Sequence, residues 1–339
     1  MNRTYNIAIY AADTLAGETL VRQLEEQLFD GKPLPVLSFY PLCESSRSSG
    51  SVEFHGETLE FMGIEDVDFS STDFLLMPAG CDRNAELMTR AVESGCVIID
   101  ASRGAATQGY TVPVMAGFNE HFLEESVENR YFAVPGTAAA CLLPLLQRIH
   151  QRFSVSRLSL VIMQPVASLG KKGIDVLSKQ TIELLNGQPV EHGDYSRRLA
   201  YNLMPDQDDK EGEPAGNETI IRNELLLALG DEIDIRVTCI TAPVFFGDSY
   251  VIDLDAVQPV DIQEIQSLLL EFPCVSLAED SGLSTVEDVA GTDQIHIGRL
   301  RQGSDYGTDL SFWLVADSLK RGAVHAVELI GLLIKDFAK

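Results

Sequence analysis

Short apolar runs alternate with amphipathic stretches through the first 150 residues. The apolar runs are rich in β-branched residues and bounded by turn residues, a pattern typical of buried strands. They occupy positions 6–10, 35–40, 73–78 and 96–100. Apolar residues at helical spacing predict helices over residues 17–29 and 84–95, the second ending at Gly95. This alternation, with no evident two-residue hairpin turn, predicts a doubly wound parallel sheet.

The pattern changes in the second half of the chain. A long buried helix is predicted over residues 135–153, and the strands that follow are longer and more antiparallel in character. These strands occupy positions 156–168, 233–256 and 295–317. Further helices are predicted over 171–187 and 318–337, and a polar loop bearing Pro and Gly is predicted over 203–217.

Together these elements predict an α/β protein of two domains. A Rossmann-like, doubly wound domain of the NAD(P)-binding type is expected over residues 1–134, with the C-terminal helix at 318–339 packing back onto it. An α+β domain for substrate binding and dimerisation is expected over residues 135–317.

Charge and hydropathy argue against some classes of function. The 339 residues include 25 Lys and Arg against 51 Asp and Glu, a net charge of −26, which disfavours nucleic-acid binding because phosphates are repelled. The longest apolar runs, such as residues 329–334, are too short to span a bilayer. Without a signal-peptide layout at the N-terminus, a cytoplasmic protein is expected. The six scattered cysteines favour neither a metal site nor a disulfide framework.

The N-terminal strand, turn and helix resemble the start of a dinucleotide-binding unit. Against the pattern Gly-x-x-Gly-x-x-Gly this chain has Ala11, Thr14 and Gly17. The β-branched Thr14 stands where the backbone should approach phosphate. Ala11 is a milder loss provided that its φ angle stays negative.

A series of motifs, in order along nearly the whole chain, resembles the aspartate-semialdehyde dehydrogenase family, with N-acetyl-glutamyl-phosphate reductases as more distant relatives. The motifs are SSRSSG (45–50), PAG (78–80), VIIDAS (97–102), PGT (135–137), SLGKKGID (168–175), APVFFGDS (242–249), IGRLRQ (297–302) and ADSLKRGAVHAVEL (316–329). Within the family the chain is most like the bacterial Usg proteins, which are catalytically degenerate homologues. The resemblance implies a homodimer formed through the sheet of the second domain and an NADP-linked ancestor that reduces an acyl phosphate to a semialdehyde.

The resemblance also implies which positions should carry the chemistry. The family's nucleophilic cysteine falls on Thr137, which cannot form a thioester. The family's histidine base falls on Asp248, a carboxyl group with an ordinary pKa near 4 and therefore a poor acid at neutral pH. Cys141, four residues after Thr137, is interpreted as a core residue rather than a displaced nucleophile.

The positions that bind substrate in the family also carry different residues in this chain. The family's substrate arginines fall on Thr241 and Ala106, and a family lysine falls on Ile220, before the Asn223–Glu224 pair. The family's asparagine falls on His325, which is interpreted as a satisfied surface or interface histidine, with a displaced catalytic group as the alternative.

The cofactor evidence is mixed. Ser45, Arg47 and Ser48 match the family loop that holds the 2′-phosphate of NADP, although such a loop can also be a solvated turn. The cofactor-binding residues expected here are therefore Ala11, Thr14 and Gly17 with this loop.

The sequence leads to one interpretation and two rivals. The first is a family member that has lost catalysis and serves a binding, scaffold or regulatory role, as a homodimer or as a heterodimer with an active paralogue. The second is an active oxidoreductase with rearranged residues, for example Asp248 or His325 as base. The third is a purely structural partner that binds no ligand.

Overall fold

The computed structural model describes most of the chain in two compact units. The described residues are 3–29, 31–43, 50–82, 84–102, 113–116, 118–119, 123, 130–206, 215–278, 283–303 and 307–337. The first unit comprises Met1–Ala140 and Gly322–Lys339, and the second comprises Cys141–Arg321. The functional domains expected over residues 1–134 and 135–317 remain a prediction.

The strands are numbered in chain order. In the first unit they are β1 (Tyr5–Ile9), β2 (Leu28–Phe29), β3 (Lys32–Pro33), β4 (Val36–Cys43), β5 (Ser51–Phe54), β6 (Glu57–Glu60), β7 (Met62–Gly63), β8 (Phe74–Met77), β9 (Val97–Asp100) and β10 (Tyr131–Ala133). In the second unit they are β11 (Val155–Gln164), β12 (Met204–Pro205), β13 (Asp234–Thr241), β14 (Asp248–Ala256), β15 (Val275–Leu277), β16 (Ile295–Arg301) and β17 (Asp309–Ala316).

The helices are numbered in the same way. They are α1 (Leu15–Glu26), α2 (Ala85–Glu93), α3 (Thr137–Phe153), α4 (Gly170–Leu185), α5 (Asn217–Leu229), α6 (Ile262–Leu269), α7 (Val286–Val289) and α8 (Ser318–Phe337). Short 3₁₀ helices occupy Phe69–Ser71 and Val166–Leu169.

The sheet of the first unit is parallel and doubly wound. Its strand order is β10-β9-β8-β1-β4-β7, and each neighbouring pair is parallel. The chain order therefore reverses between β1 and β8, which is the switch point at which such sheets bind ligands beyond the carboxyl ends of their strands. The α/β fold predicted from the alternating pattern is confirmed for this half of the chain.

Both faces of this sheet are buried. Along β1, Ile7 and Ile9 belong to a core cluster that also contains α1 residues and Ala323–Leu333 side chains of α8. Ala8 and Tyr10 point to the opposite face, into a cluster that includes Leu87 of α2. A strand buried on both faces has a continuous apolar sequence, which explains the unbroken apolar run at residues 7–12.

One expectation about turns is wrong. His55 and Gly56 form a two-residue hairpin connection between β5 and β6, with φ angles of 50° and 78°. Positive φ at both central residues is the type I′ geometry that suits hairpins. The sequence signal is weak because His, unlike Asn or Asp, is not a usual residue at the first of these positions.

The second unit contains a mixed sheet. Its order is β12-β13-β11-β14-β17-β16-β15, in which β11–β13 and β15–β16 are parallel and the other pairs antiparallel. The apolar run 233–256 is two strands, β13 and β14, and 295–317 is also two, β16 and β17. Residues 207–214 of the predicted polar loop lie outside the described residues, and α5, α6 and α7 were not anticipated.

Within the described ranges, no helix is both long enough and apolar enough to cross a membrane.

Gly17 fixes the position of α1 at the end of β1. An added Cβ at Gly17 would lie 2.2 Å from the Ala11 carbonyl oxygen and 2.6 Å from Ala12 Cα. Both neighbours are buried backbone atoms and cannot rotate away. The helix can therefore approach the turn this closely only because residue 17 has no side chain.

We expect Gly17→Ala to lower the free energy of unfolding by at least about 2 kcal/mol, because the turn must move to admit the methyl group. Gly322→Ala is the matched control, since its Cβ would lie 3.4 Å from the nearest atom, Thr137 Cγ2. That control should unfold at the same urea concentration as the wild type or higher, because Ala favours the helix interior. Equal urea midpoints for Gly17→Ala and the wild type would contradict the packing described.

Candidate functional site

The turn after β1 carries the candidate cofactor-binding residues of the first unit. Ala11 is buried and has a φ angle of +48°. Alanine in place of glycine was expected to have a mild effect only with a negative φ angle, so this condition is not met. An alanine in this left-handed region is strained by roughly 1 kcal/mol relative to glycine. Thr14 is the N-cap of α1 and binds the turn through its hydroxyl group.

Several expected site residues cannot be placed in this geometry. Ser45, Arg47 and Ser48, which match the 2′-phosphate loop, lie outside the described residues, as does Ala106. The cofactor loop therefore remains a prediction from sequence.

Thr137 is the first residue of α3. It is half-buried, and its Cγ2 faces the backbone of Gly322 at the start of the C-terminal segment of the first unit. A helix N-terminus lowers the pKa of a cysteine thiol, but the hydroxyl group of a threonine has no comparable acidity. The Thr137 hydroxyl group is therefore not activated by this helix start in the way that a cysteine thiol would be.

Cys141 lies one helical turn further along α3 and is fully buried. Burial raises the pKa of its thiol well above the usual range, and the charge of Asp248 adds to this effect. Burial likewise raises the pKa values of Cys96 and Cys239 to about 12. These groups are neutral thiols at physiological pH, which is consistent with the interpretation of Cys141 as a core residue.

The second unit brings two expected site positions into one row of its sheet. Thr241 on β13 is paired with Gln164 on β11. Met163 is paired with Ser249 on β14, so the same register sets Gln164 beside Asp248. Residues side by side on adjacent strands share a face of the sheet. Thr241 and Asp248 therefore flank Gln164, a buried amide that the sequence reading did not single out.

Asp248 is almost fully buried at the start of β14. Its Oδ2 accepts a hydrogen bond from the Ser318 backbone N–H at 3.3 Å, and its Oδ1 has no hydrogen-bond partner within the described part of the chain. Burial raises the pKa of Asp248 to about 7; the Ser318 hydrogen bond opposes this and the nearby Asp317 carboxylate supports it. The expectation that Asp248 titrates near 4 is therefore wrong, because loss of hydration disfavours the charged form.

Two carboxyl groups meet the first turn of α8. Asp248 accepts from the Ser318 N–H, and Asp317 accepts from the N–H groups of Lys320, at 3.1 Å, and Gly291, at 2.8 Å. The first N–H groups of a helix have no partners within the helix, and acceptors there stabilise it. Asp248 thus serves as a helix-capping acceptor at the position where the family resemblance implies a base.

The remaining candidate residues from the sequence lie on α8 and α5. His325 on α8 is buried, and its Nδ1 lies 3.4 Å from Glu328 Oε2, so it is not a surface residue of this chain. Ile220 is partly buried on α5, and Glu224 on the same helix is fully buried.

Asp317 was not predicted from the sequence, although an Asp directly before an amphipathic helix is a recognisable N-cap signal.

Comparison with known proteins gives a consistent result. Residues 146–321 match the family model described as semialdehyde dehydrogenase, dimerisation domain. A USG-1 protein homolog from Azotobacter vinelandii is 31% identical over 339 residues, which cover 99% of each chain.

Solved structures give the same picture. Aspartate semialdehyde dehydrogenase II from Vibrio cholerae is similar with a TM-score of 0.90 and 28% identity, covering 99% of this chain and 100% of that one. Aspartate semialdehyde dehydrogenase with NADP from Candida albicans has a TM-score of 0.69 at 14% identity, over 98% and 100% of the two chains, a likeness of fold alone.

The raised pKa of Asp248 predicts a pH-dependent stability. Because the pKa is about 7 in the folded state and near 3.8 in the unfolded state, the folded state holds the proton more tightly. The contribution of Asp248 to the free energy of unfolding should fall as pH rises from about 4 to 7, by about 1 kcal/mol per pH unit, and stay level above. Groups facing Asp248 are Cys141 on α3, Cys239 on β13, Tyr250 on β14, and Asp317.

Urea unfolding between pH 5 and pH 8.5 tests this prediction on Asp248→Asn. The difference between the wild type and this variant should change across the range, and the variant should gain relative stability at high pH. Asp255→Asn, at the exposed far end of β14, is the control and should follow the wild-type profile. Parallel profiles for Asp248→Asn and the wild type would contradict the assignment.

Proposed function

Because the chain belongs to the aspartate-semialdehyde dehydrogenase family, we propose that it is a member that has lost catalysis and serves a binding, scaffold or regulatory role. The ancestral reaction is the NADP-dependent reduction of an acyl phosphate to a semialdehyde. The proposal rests on the residues at the start of α3 and β14, and above all on the nucleophile position.

The single observation that carries the proposal is the lack of a usable thiol at the start of α3. Reduction of an acyl phosphate through a covalent intermediate needs a thiolate that displaces phosphate and forms a thioester. Thr137 stands at this position, and the nearest cysteine in the helix, Cys141, is buried as a neutral thiol. Neither group can supply the sulfur anion.

The second support is the structural use of Asp248. A general base must reach a reacting proton in the site. Asp248 is 1% exposed and directs one carboxylate oxygen at the N-terminus of α8. Its contacts fit a residue that holds the fold together.

NADP is the nucleotide that we propose for the first unit. The strand order of its sheet is the one that binds dinucleotides at the switch point, and a relative of the same fold contains NADP. The turn at 11–17 does not fit a pyrophosphate as it stands, because Thr14 already bonds the Gly17 N–H.

The proposed assembly is a homodimer through the sheet of the second unit. One row of that sheet carries Thr238, Val161, Val251, Trp313 and Gly298 on adjacent strands. Val161, Val251 and Trp313 are only partly buried in the single chain, although each is apolar. Such a face gains from being covered, and the matching family model is named for dimerisation.

A heterodimer with an active paralogue would use the same row, and this is the regulatory form of the proposal. A cytoplasmic location belongs to the proposal as well. Purification from the native cell, followed by identification of the bound proteins and small molecules, separates the homodimer from the heterodimer.

One observation favours a second candidate function. The pKa of Asp248, raised to about 7, is that of a group that can both take and return a proton near neutral pH. An oxidoreductase acting on another aldehyde or acyl substrate could use Asp248 as its acid and base. This candidate requires turnover that disappears in Asp248→Asn, whatever residue stands at 137.

We expect the purified chain to give no NADPH oxidation with an acyl phosphate and no NADP reduction with aspartate semialdehyde and phosphate. The physical reason is the absent thiolate. Absorbance at the nicotinamide band, followed at enzyme concentrations that would detect slow turnover, is the measurement. Turnover that is lost in Thr137→Ala would overturn the proposal, and turnover that is lost only in Asp248→Asn would favour the second candidate.

The dimer is tested separately by Val251→Arg in the middle of the open row. An unpaired charge buried in an interface is strongly unfavourable, so this variant should be a folded monomer while the wild type is a dimer. Val257→Arg is the matched control, because Val257 is 71% exposed just after β14. Analytical ultracentrifugation measures the mass. A monomeric wild type, or a dimeric Val251→Arg variant, would contradict the assembly.

A further inference from the structure

The turn that begins the first unit's nucleotide-binding region is closed by its own side chain. Thr14 adopts extended backbone angles, φ −85° and ψ 165°, as an N-cap does. Its Oγ1 accepts a hydrogen bond from the Gly17 N–H at 3.0 Å and donates one to the Ala11 carbonyl oxygen at 2.7 Å. One hydroxyl group therefore links the end of β1 to the first turn of α1.

The backbone reinforces this closure. The Thr14 N–H also donates to the Ala11 carbonyl oxygen, at 3.1 Å, so both donors of Thr14 bind the same acceptor. Ala11 maintains its φ of +48° although it has a Cβ, and it is buried. Strained angles at a non-glycine residue persist where the surroundings fix them. The hydroxyl and N–H groups of Thr14 and the carbonyl group of Ala11 thus form one hydrogen-bonded turn.

This closure uses the groups that a pyrophosphate needs. Phosphates bind at a helix N-terminus because its first N–H groups point outward without partners and carry partial positive charge. In this chain the Gly17 N–H is already taken by Thr14, and Glu18 adds a negative charge in the first turn. A phosphate approaching α1 must displace the Thr14 hydroxyl group and approach a carboxylate.

We propose that Thr14 and Ala11 are the residues that set the nucleotide affinity of this chain, by occupying the pyrophosphate position with a built-in cap. The consequence is weak binding of NADP, relieved when both positions are glycine. The inference rests on the proposal that NADP is the nucleotide of the first unit, and it concerns binding rather than turnover.

The double substitution Ala11→Gly with Thr14→Gly is the variant of choice. Glycine adopts the positive φ required at position 11 without strain. Glycine at an N-cap costs only a few tenths of a kcal/mol compared with threonine, so α1 should still form. Thr14→Ser is the matched control, because it keeps the capping hydroxyl group and removes only the methyl group.

Isothermal titration calorimetry with NADP on the full chain measures the effect. We expect the double glycine variant to bind NADP at least tenfold more tightly than the wild type, about 1.4 kcal/mol, and Thr14→Ser to bind like the wild type. Adenosine 2′-monophosphate, which has no 5′-phosphate, should bind the wild type and the double variant equally. Circular dichroism melting of each protein verifies that it is folded.

Unchanged NADP affinity in the folded double variant would overturn the inference, and so would equal tightening by Thr14→Ser. Equal tightening toward adenosine 2′-monophosphate would also overturn it, because the gain would then not come from the pyrophosphate. None of these outcomes bears on the turnover assay, so the loss of catalysis and the closure of the turn stand or fall separately.

Discussion

The burial of the Asp248 carboxyl group is the constraint on which much of the second unit depends. A carboxylate removed from water needs either a proton or hydrogen-bond donors, and Ser318 donates to Asp248. This contact links the start of β14 to the start of α8. The same buried charge acts on the Cys141 thiol and helps to hold it neutral. Asp248 therefore caps α8, helps to raise the pKa of the Cys141 thiol, and is the group expected to make stability depend on pH.

Each unit has a helix N-terminus that is capped by side chains of the protein. In the first unit, Thr14 satisfies the N-terminus of α1, and in the second, Asp248 and Asp317 satisfy the N-terminus of α8. In both places a side chain of the protein occupies a helix end that could otherwise meet a ligand. Gly17 is needed for the close packing of α1 against Ala11, and this packing does not involve a ligand. At both helix ends the first N–H groups are satisfied from within the chain.

Much of this fold could be predicted from sequence, because strongly periodic segments carry their own evidence. The strand at β1 and the long helix α3 were predicted within a few residues of their bounds. The splitting of residues 233–256 into two strands was not, since an apolar run does not mark where a sheet turns back. The hairpin at His55 and Gly56 was missed because its first residue gives no usual turn signal.

The site was harder to predict than the fold, for a physical reason. The identity of the residues at 137 and 248 is visible in the sequence, but the pKa of Asp248 depends on burial by elements far along the chain. The φ angle of Ala11 likewise depends on how α1 packs. Local sequence carries propensity, whereas titration and strain are set by tertiary contacts. The row that joins Thr241, Gln164 and Asp248 required the strand register.

The place of α8 in the first unit has a consequence for how the chain folds during synthesis. Ala323, Val327, Ile330 and Leu333 lie in the same core cluster as β1 and α1, although more than 300 residues separate the two ends of the chain. A ribosome delivers the N-terminal strands first, and domains generally fold as units. The first unit therefore waits, with an apolar face of its sheet uncovered, until the last segment of the chain has emerged. During that interval the uncovered apolar face is a surface on which the chain can aggregate.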